Sequence, residues 1–222
     1  GFSIMGDRSR SNLDAMARDI AALALQEHWP PFAVIGHSAG AAVALRLAEM
    51  VNVKAVIGIN AALGGFDGVA GWLFPMLANI LTRLPLVPRL FSKLAGTPHQ
   101  VRQLLASTGS TIDAAGEAQY LHLLRQPDHV AATLAMMAQW NLDGLMQRLP
   151  RQTTPCLLVT AAGDKAVPPV VSKRAAAAMP HAEWINLPRF GHLVHEEAPE
   201  QVANLIREFL SHIARTEPTC AQ

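Results

Sequence analysis

Ser38 stands between two glycines in the run Gly36-His37-Ser38-Ala39-Gly40, where an apolar stretch gives way to one with helical spacing. The run fits G-x-S-x-G, a pattern in which the serine occupies a strained turn between a strand and a helix and small neighbours let the backbone pass closely. The hydroxyl is then held out into a cleft. The first N–H groups of the following helix, that of Ala39 foremost, point to where an oxyanion would form. Taken alone the motif is equally a small-residue turn; a strand before it and a helix after it make Ser38 a candidate nucleophile.

A serine hydroxyl is a poor nucleophile without a base, and the base needs a carboxylate to orient it. Asp164 directly follows an apolar run in AAGDKAVPP, and His192 follows a weaker one in PRFGHLVHEE. Ligands and catalytic groups of open α/β sheets gather outside the carboxyl ends of the strands, where all three residues would lie. Each has a competing reading. Gly-Asp is a common turn pair, so Asp164 could serve only a turn, and Asp128 and Asp143 are rival carboxylates in a helical part of the chain. His195, beside Glu196 and Glu197, reads as a solvated or capping residue, and His37 as a wall of the cleft. The expectation is Ser38 as nucleophile, His192 as base, Asp164 as acid, and the Ala39 backbone N–H as an oxyanion donor.

The elements that must position these residues follow from periodicity. Asn12 to Glu27 carries apolar residues at helical spacing (Leu13, Met16, Ala17, Ile20, Leu23, Ala24) behind a capping asparagine. Phe32 to Gly36 is a short apolar run of the kind a strand buried on both faces shows, and Ala39 to Met50 is helical again. Val53 to Ile59, Pro155 to Ala162 and the weaker Glu183 to Leu187 read as further strands, with helices at Val130 to Trp140, Pro169 to Met179 and Pro199 to Ile213. The alternation predicts an α/β protein, a mostly parallel sheet with helices on both faces.

Gly64 to Pro150 interrupts the alternation with helical segments only and reads as a helical lid inserted between two strands. The expected division is residues 1–63 as part of the core with the elbow, 64–150 as the lid, 151–215 as the rest of the core, and 216–222 as a loose tail. The lid is rich in large apolar side chains: Trp72, Leu73, Phe74, Met76, Met136, Met137 and Trp140. With His37 they would line a pocket for a large flat or aliphatic molecule. Ordinary lid packing is the competing reading for at least half of them.

Composition narrows the field. A net charge of +1, from 18 basic and 17 acidic residues interspersed along 222, offers no block of charge for nucleic acid or an anionic membrane. Trp72 to Phe91 is broken by Pro75, Arg83, Pro85, Pro88 and Arg89, short of the roughly 20 apolar residues that a membrane span needs. The two cysteines, Cys156 and Cys220, read as reduced thiols, and GFSIMGDRSRS has the features of no secretory signal, so a cytoplasmic setting is expected. The nine histidines are scattered with no H-E-x-x-H or C-x-x-C spacing, and no Gly-rich phosphate loop occurs. Neither a metal nor a cofactor is expected.

The chain resembles the α/β-hydrolase family over its whole length, and within it the branch of magnesium-chelatase accessory proteins of bacteriochlorophyll synthesis. GHSAGAAVALRLA, GDKAVPP and GHLVHEEAPEQVA carry the wider likeness, and the order Ser38, Asp164, His192 is the family's order. VIGINAALGGFDGVAGWLFPMLA and STGSTIDAAGEAQYLHLLRQPDHVAATLAMMAQWNLDGL carry the narrower one. The resemblance implies triad positions matching Ser38, Asp164 and His192, a role near magnesium insertion into protoporphyrin, a tetrapyrrole-like or apolar small-molecule substrate, and magnesium chelatase subunits as partners. It further implies strands before Asn12's helix and a His-Gly type loop giving a second oxyanion N–H, so the expectation is a chain truncated at its N-terminus, the N-terminal strands missing and this fragment inactive.

Two functions from different classes follow. One is a serine hydrolase of an ester or related acyl bond, whether in that pathway, as a general carboxylesterase or as a C–C bond hydrolase. The other is a non-catalytic accessory that holds a tetrapyrrole or a chelatase subunit.

Overall fold

The computed structural model describes residue 4, residues 6–64, residue 90, residues 92–94 and residues 96–216. Four strands, β1 (Ala33–His37), β2 (Ala55–Ile59), β3 (Cys156–Ala161) and β4 (Ala182–Leu187), form one sheet in chain order β1-β2-β3-β4. Every pairing is parallel, with Gly36 opposite Gly58 and Gly58 opposite Leu158. Parallel neighbours need crossover connections, and the chain supplies helices for them.

Helix α1 (Leu13–Gln26) precedes β1, and its cap is the predicted one: the Asn12 side chain accepts from the Ala15 N–H at 2.9 Å. Helix α2 (Ala39–Ala48) follows β1, α7 (Pro169–Ala178) joins β3 to β4, and the short α8 (Val194–Glu197) and long α9 (Pro199–Thr216) follow β4. Between β2 and β3 lie α3 (Pro98–Ser107), α4 (Ala114–Leu124), α5 (Pro127–Ala138) and α6 (Asp143–Arg148). Helix α5 begins three residues before the predicted Val130 and ends at Ala138, since Pro127 at its first turn presets the helical φ and needs no N–H partner.

Period-2 alternation sorts the strand side chains onto two covered faces. Val56, Cys156 and Leu158 pack with Leu13 of α1, Ala41 and Leu45 of α2, and Ala175 of α7. Ile57, Ile59, Leu157 and Val159 pack on the other face against Val202 and Phe209 of α9. Helix α9 meets them with Val202, Leu205, Ile206, Phe209, Leu210 and Ile213, the 3.6-residue stripe of an amphipathic helix. Burial in this core pushes the Cys156 thiol up to about 12, so it is an unreactive packing group.

One predicted strand differs from expectation. Strand β1 borders the described sheet, and its Ile35 is 55% exposed where burial on both faces was predicted. β4, the weaker predicted run, borders the other side and exposes Glu183 and Asn186, hence its weak apolar signal.

Leu158 is fully buried and its Cδ2 fills the space that a Cβ on Gly58 would need. Leu158→Ala should therefore cost about 2–5 kcal/mol in urea unfolding, the range for a buried leucine deletion. Leu104→Ala, on the half-exposed face of α3, should stay within about 0.5 kcal/mol.

Candidate active site

The four parallel strands end on one edge, and each delivers a polar residue there: Ser38 after β1, Asn60 after β2, Asp164 after β3 and His192 after β4. Ser38 sits at φ 53°, ψ −120°, a strained backbone for a residue with a side chain. Three hydrogen bonds impose it. The Ser38 N–H donates to the Ile59 carbonyl (2.9 Å), and the Ser38 carbonyl accepts from Ala62 (3.0 Å) and Ala41 (3.1 Å). Gly36 is required because a Cβ there would lie 2.2 Å from the Gly40 carbonyl oxygen. Ala39 opens α2, so its N–H belongs to the first turn, which has no carbonyl of its own helix to bond.

Asp164 and His192 are brought together. His192 Nδ1 lies 2.7 Å from Asp164 Oδ2, and the carboxylate side chain is wholly buried. The other carboxylate oxygen, Oδ1, accepts from the Ala166 and Val167 N–H groups at 2.8 Å each. Asp164 thus closes its turn with one oxygen and meets the imidazole with the other. A carboxylate facing Nδ1 holds the ring proton there and leaves Nε2 as the basic nitrogen. Asp128 and Asp143, the rival carboxylates, lie in the first turns of α5 and α6.

His37 and His195 take positions that the sequence only partly foretold. His37 Nε2 donates to the His192 carbonyl oxygen at 2.9 Å, tying the residue before Ser38 to the candidate base. Its ring lies 4.7 Å from that of His192 and 4.4 Å from that of His195. His195 is therefore no solvated helix end: its Nδ1 is buried without a hydrogen-bond partner among the described residues. Burial holds its pKa below the usual histidine value, with His192 adding to this and Glu196 opposing it.

Asn60 is the residue that sequence reasoning missed. It is 1% exposed, its amide donates to the His192 carbonyl (2.7 Å) and the Gly191 carbonyl (3.1 Å), and its Oδ1 accepts from the Ala161 N–H (3.0 Å). One side chain thereby joins the ends of β2 and β3 to the His192 loop. The signal was present in VIGIN, where a single polar residue with φ 44° ends a wholly apolar strand.

A cleft of about 1010 Å³ runs along β1, with His37, Ala39, Gly40, Val43 and Met136 in its walls. It meets the site at His37 and Ala39. Of the two methionines expected in the pocket, Met136 is in those walls and Met137, one position and about 100° round the helix, is not. Trp140, also expected in the pocket, is partly buried and packs against the core cluster with Leu142 and Leu145. Trp72 and Phe74, also predicted pocket residues, lie outside the described residues. Among the described residues no group of three or more His, Cys, Asp or Glu side chains is placed to hold a metal ion.

A parallel sheet flanked by helices, with a strained serine elbow and a histidine–aspartate pair at the strand ends, defines a class, and the chain belongs to the α/β hydrolase family, whose model matches residues 1–205. It is 45% identical over 210 residues to the magnesium-chelatase 30 kDa subunit of Rhodobacter capsulatus, a match covering 95% of this chain and 74% of that protein. Similar solved structures include an esterase from Exiguobacterium antarcticum (TM-score 0.70, 16% identity, 93% of this chain and 76% of that one). The epoxide hydrolase CorEH is another (TM-score 0.74, 17% identity, 96% of this chain and 79% of that one). At such identities the likeness is one of fold, and function is argued from the site.

Burial, reinforced by His195, lowers the His37 pKa from 6.5 to about 4, outweighing its bond to the His192 carbonyl. In the unfolded chain this ring takes up a proton near pH 6.5, in the folded chain only near 4. Across that window the unfolded state binds more protons, so stability falls as pH falls. Urea unfolding at stepped pH should show this acid limb, and His37→Gln, which keeps a donor for the His192 carbonyl, should flatten it. The part due to His195, lowered in the same direction, should remain.

Proposed function

We propose that this protein is a serine hydrolase of an ester or related acyl bond, acting as an accessory factor at the magnesium-chelation step of bacteriochlorophyll synthesis. The observation that carries the hydrolase reading is the buried 2.7 Å contact of His192 Nδ1 with Asp164 Oδ2, in a loop fastened to the serine elbow through His37. In the proposed reaction His192 Nε2 removes the Ser38 hydroxyl proton as Oγ attacks the acyl carbon. The Ala39 N–H stabilises the oxyanion, and the Asp164 carboxylate offsets the imidazolium charge. His192 then returns the proton to the leaving group, whose bond to the acyl carbon breaks. Water, deprotonated by the same nitrogen, attacks the acyl carbon, and His192 returns that proton to Ser38 Oγ as its bond to the acyl group breaks.

The pathway reading rests on the 45% identity to a protein named as a magnesium-chelatase subunit. That likeness also supports a second reading, a non-catalytic accessory that binds a tetrapyrrole or the chelatase itself. In either case residues 64–150 would act as a helical lid over the strand ends, and the setting would be the cytoplasm; among the described residues no helix is long and apolar enough to cross a membrane.

The two readings separate on covalent chemistry. In the full-length protein Ser38→Ala should abolish labelling by a fluorophosphonate, while Ser172→Ala, in the buried face of α7, should not. Labelling that survives Ser38→Ala removes the nucleophile assignment. Asp164→Asn should keep the fold and slow acyl transfer by about 10⁴-fold, the loss expected from a wrong tautomer at the base. Deleting the gene in a phototrophic host should lower magnesium-containing pigment and raise protoporphyrin. Normal pigment with loss of an esterase activity would leave the hydrolase and remove the pathway role.

A further inference from the structure

The backbone of the His192 loop is held from two sides. Asn60 and His37 take its carbonyl groups, as described above. Its N–H groups go elsewhere, to a turn that closes α3 and belongs to the helical segment between β2 and β3. The Thr108 carbonyl accepts from the His192 N–H at 3.3 Å and from the Lys165 N–H at 3.1 Å. One oxygen atom therefore ties the residue after Asp164 to His192 itself. Ser110 Oγ, 4% exposed, accepts from the Leu193 N–H at 2.8 Å.

Between these two residues, Gly109 adopts φ 84°, and a Cβ on it would lie 2.1 Å from the Gly163 carbonyl oxygen. On Gly191 a Cβ would lie 2.2 Å from the Gly109 carbonyl carbon, and on Gly163 one would lie 2.6 Å from the Phe190 carbonyl oxygen. Three glycines, one from each segment, thus form a junction with no room for a side chain. It touches the chain immediately beside Asp164 and immediately beside His192.

The same turn is joined to the helices above it. Leu193 packs with Val101 and Leu105 of α3 and with Ile112, Tyr120 and Leu121. Glu197 accepts from the Gly191 N–H with Oε1 (2.8 Å) and from the Thr111 N–H with Oε2 (3.3 Å), and the Tyr120 hydroxyl donates to Glu196 at 2.5 Å.

We propose that the Thr108–Gly109–Ser110 turn is the positioning element of the Asp164–His192 pair, and that it couples the pair's geometry to helices α3 and α4. Asp164 and His192 come from different strands, and their 2.7 Å contact tolerates only a small error in the relation of two loops. A third segment bonded to both backbones sets that relation directly. A shift of α3 or α4 that moves the Thr108 carbonyl must move the loop after Asp164 and the backbone of His192 with it. Thr108, Gly109 and Ser110 touch no reacting atom; they act through His192 and Asp164. The kinetic half of this proposal rests on the hydrolase reading above, whereas the geometric half does not.

The test compares Ser110→Ala, Ser110→Thr and Ser107→Ala in the full-length protein. Two quantities are read: the rate of fluorophosphonate labelling and the downfield proton resonance of the His192 Nδ1–H facing Asp164. Ser110→Ala should retain the far-UV circular dichroism of the parent, broaden that resonance by exchange with solvent, and slow labelling by about 10²-fold, the cost of a misplacement near 1 Å. Ser110→Thr, which restores a hydroxyl, should recover both, and Ser107→Ala, whose exposed hydroxyl bonds only the Leu104 carbonyl, should change neither.

A parent-like resonance and rate in Ser110→Ala overturn the proposal. If the unmodified protein is never labelled, the hydrolase reading fails, and the resonance, which needs no turnover, still decides the positioning role. If Ser110→Ala does not fold, Glu197→Gln serves instead: its Oε1 still accepts from Gly191, but its amide nitrogen cannot accept from Thr111. Weakening of the same resonance supports the proposal, and an unchanged one overturns it.

Discussion

Parallel pairing of four strands in chain order is the constraint on which the rest of this structure depends. Because β1 to β4 all run the same way, their C-terminal ends fall on one edge, and every turn that leaves them starts within reach of the next. An antiparallel neighbour would have carried its following loop to the opposite edge. The parallel arrangement obliges the chain to cross back by helices; α2 and α7 cover one apolar face of the sheet, and α9, after the last strand, covers the other. Site and core are consequences of the same pairing.

Close approach at that edge is paid for in side-chain volume. Gly36 lies against the Gly40 carbonyl, and Gly109, Gly163 and Gly191 meet at the junction of three loops. Polar groups brought so close and away from water require partners, and they find them: Asp164 uses both oxygens, and Asn60 uses its oxygen and its amide. His195 Nδ1 is the exception among the described residues. Its ring instead packs against His37, which burial keeps neutral at ordinary pH.

The helical segment between β2 and β3 is bonded to the His192 loop. Its first described helices rest on Leu193, and the turn that follows α3 bonds the backbones on which Asp164 and His192 are mounted. The stretch STGST, which holds this turn, therefore has a physical setting in the fold. Two of the apolar side chains of this segment part at the end of α5: Met136, within the helix, faces the cleft along β1, and Trp140, beyond its last residue Ala138, packs against the core.

The sequence by itself determined the alternation of apolar runs and helical stripes, and hence the α/β class, the parallel sheet and the strand ends at which Ser38, Asp164 and His192 stand. Those are properties of periodicity within a segment, and a period of 2 or 3.6 is legible in a single stretch of chain. Tertiary structure alone decided that Asn60 and the 108–110 turn grip the His192 loop, that the His195 ring packs against His37, and that Met136 lines the cleft along β1. These depend on distances between segments far apart in the chain, which are set when helices and strands pack in three dimensions. No local pattern encodes that a carbonyl at Thr108 will lie 3.1 Å from Lys165 and 3.3 Å from His192.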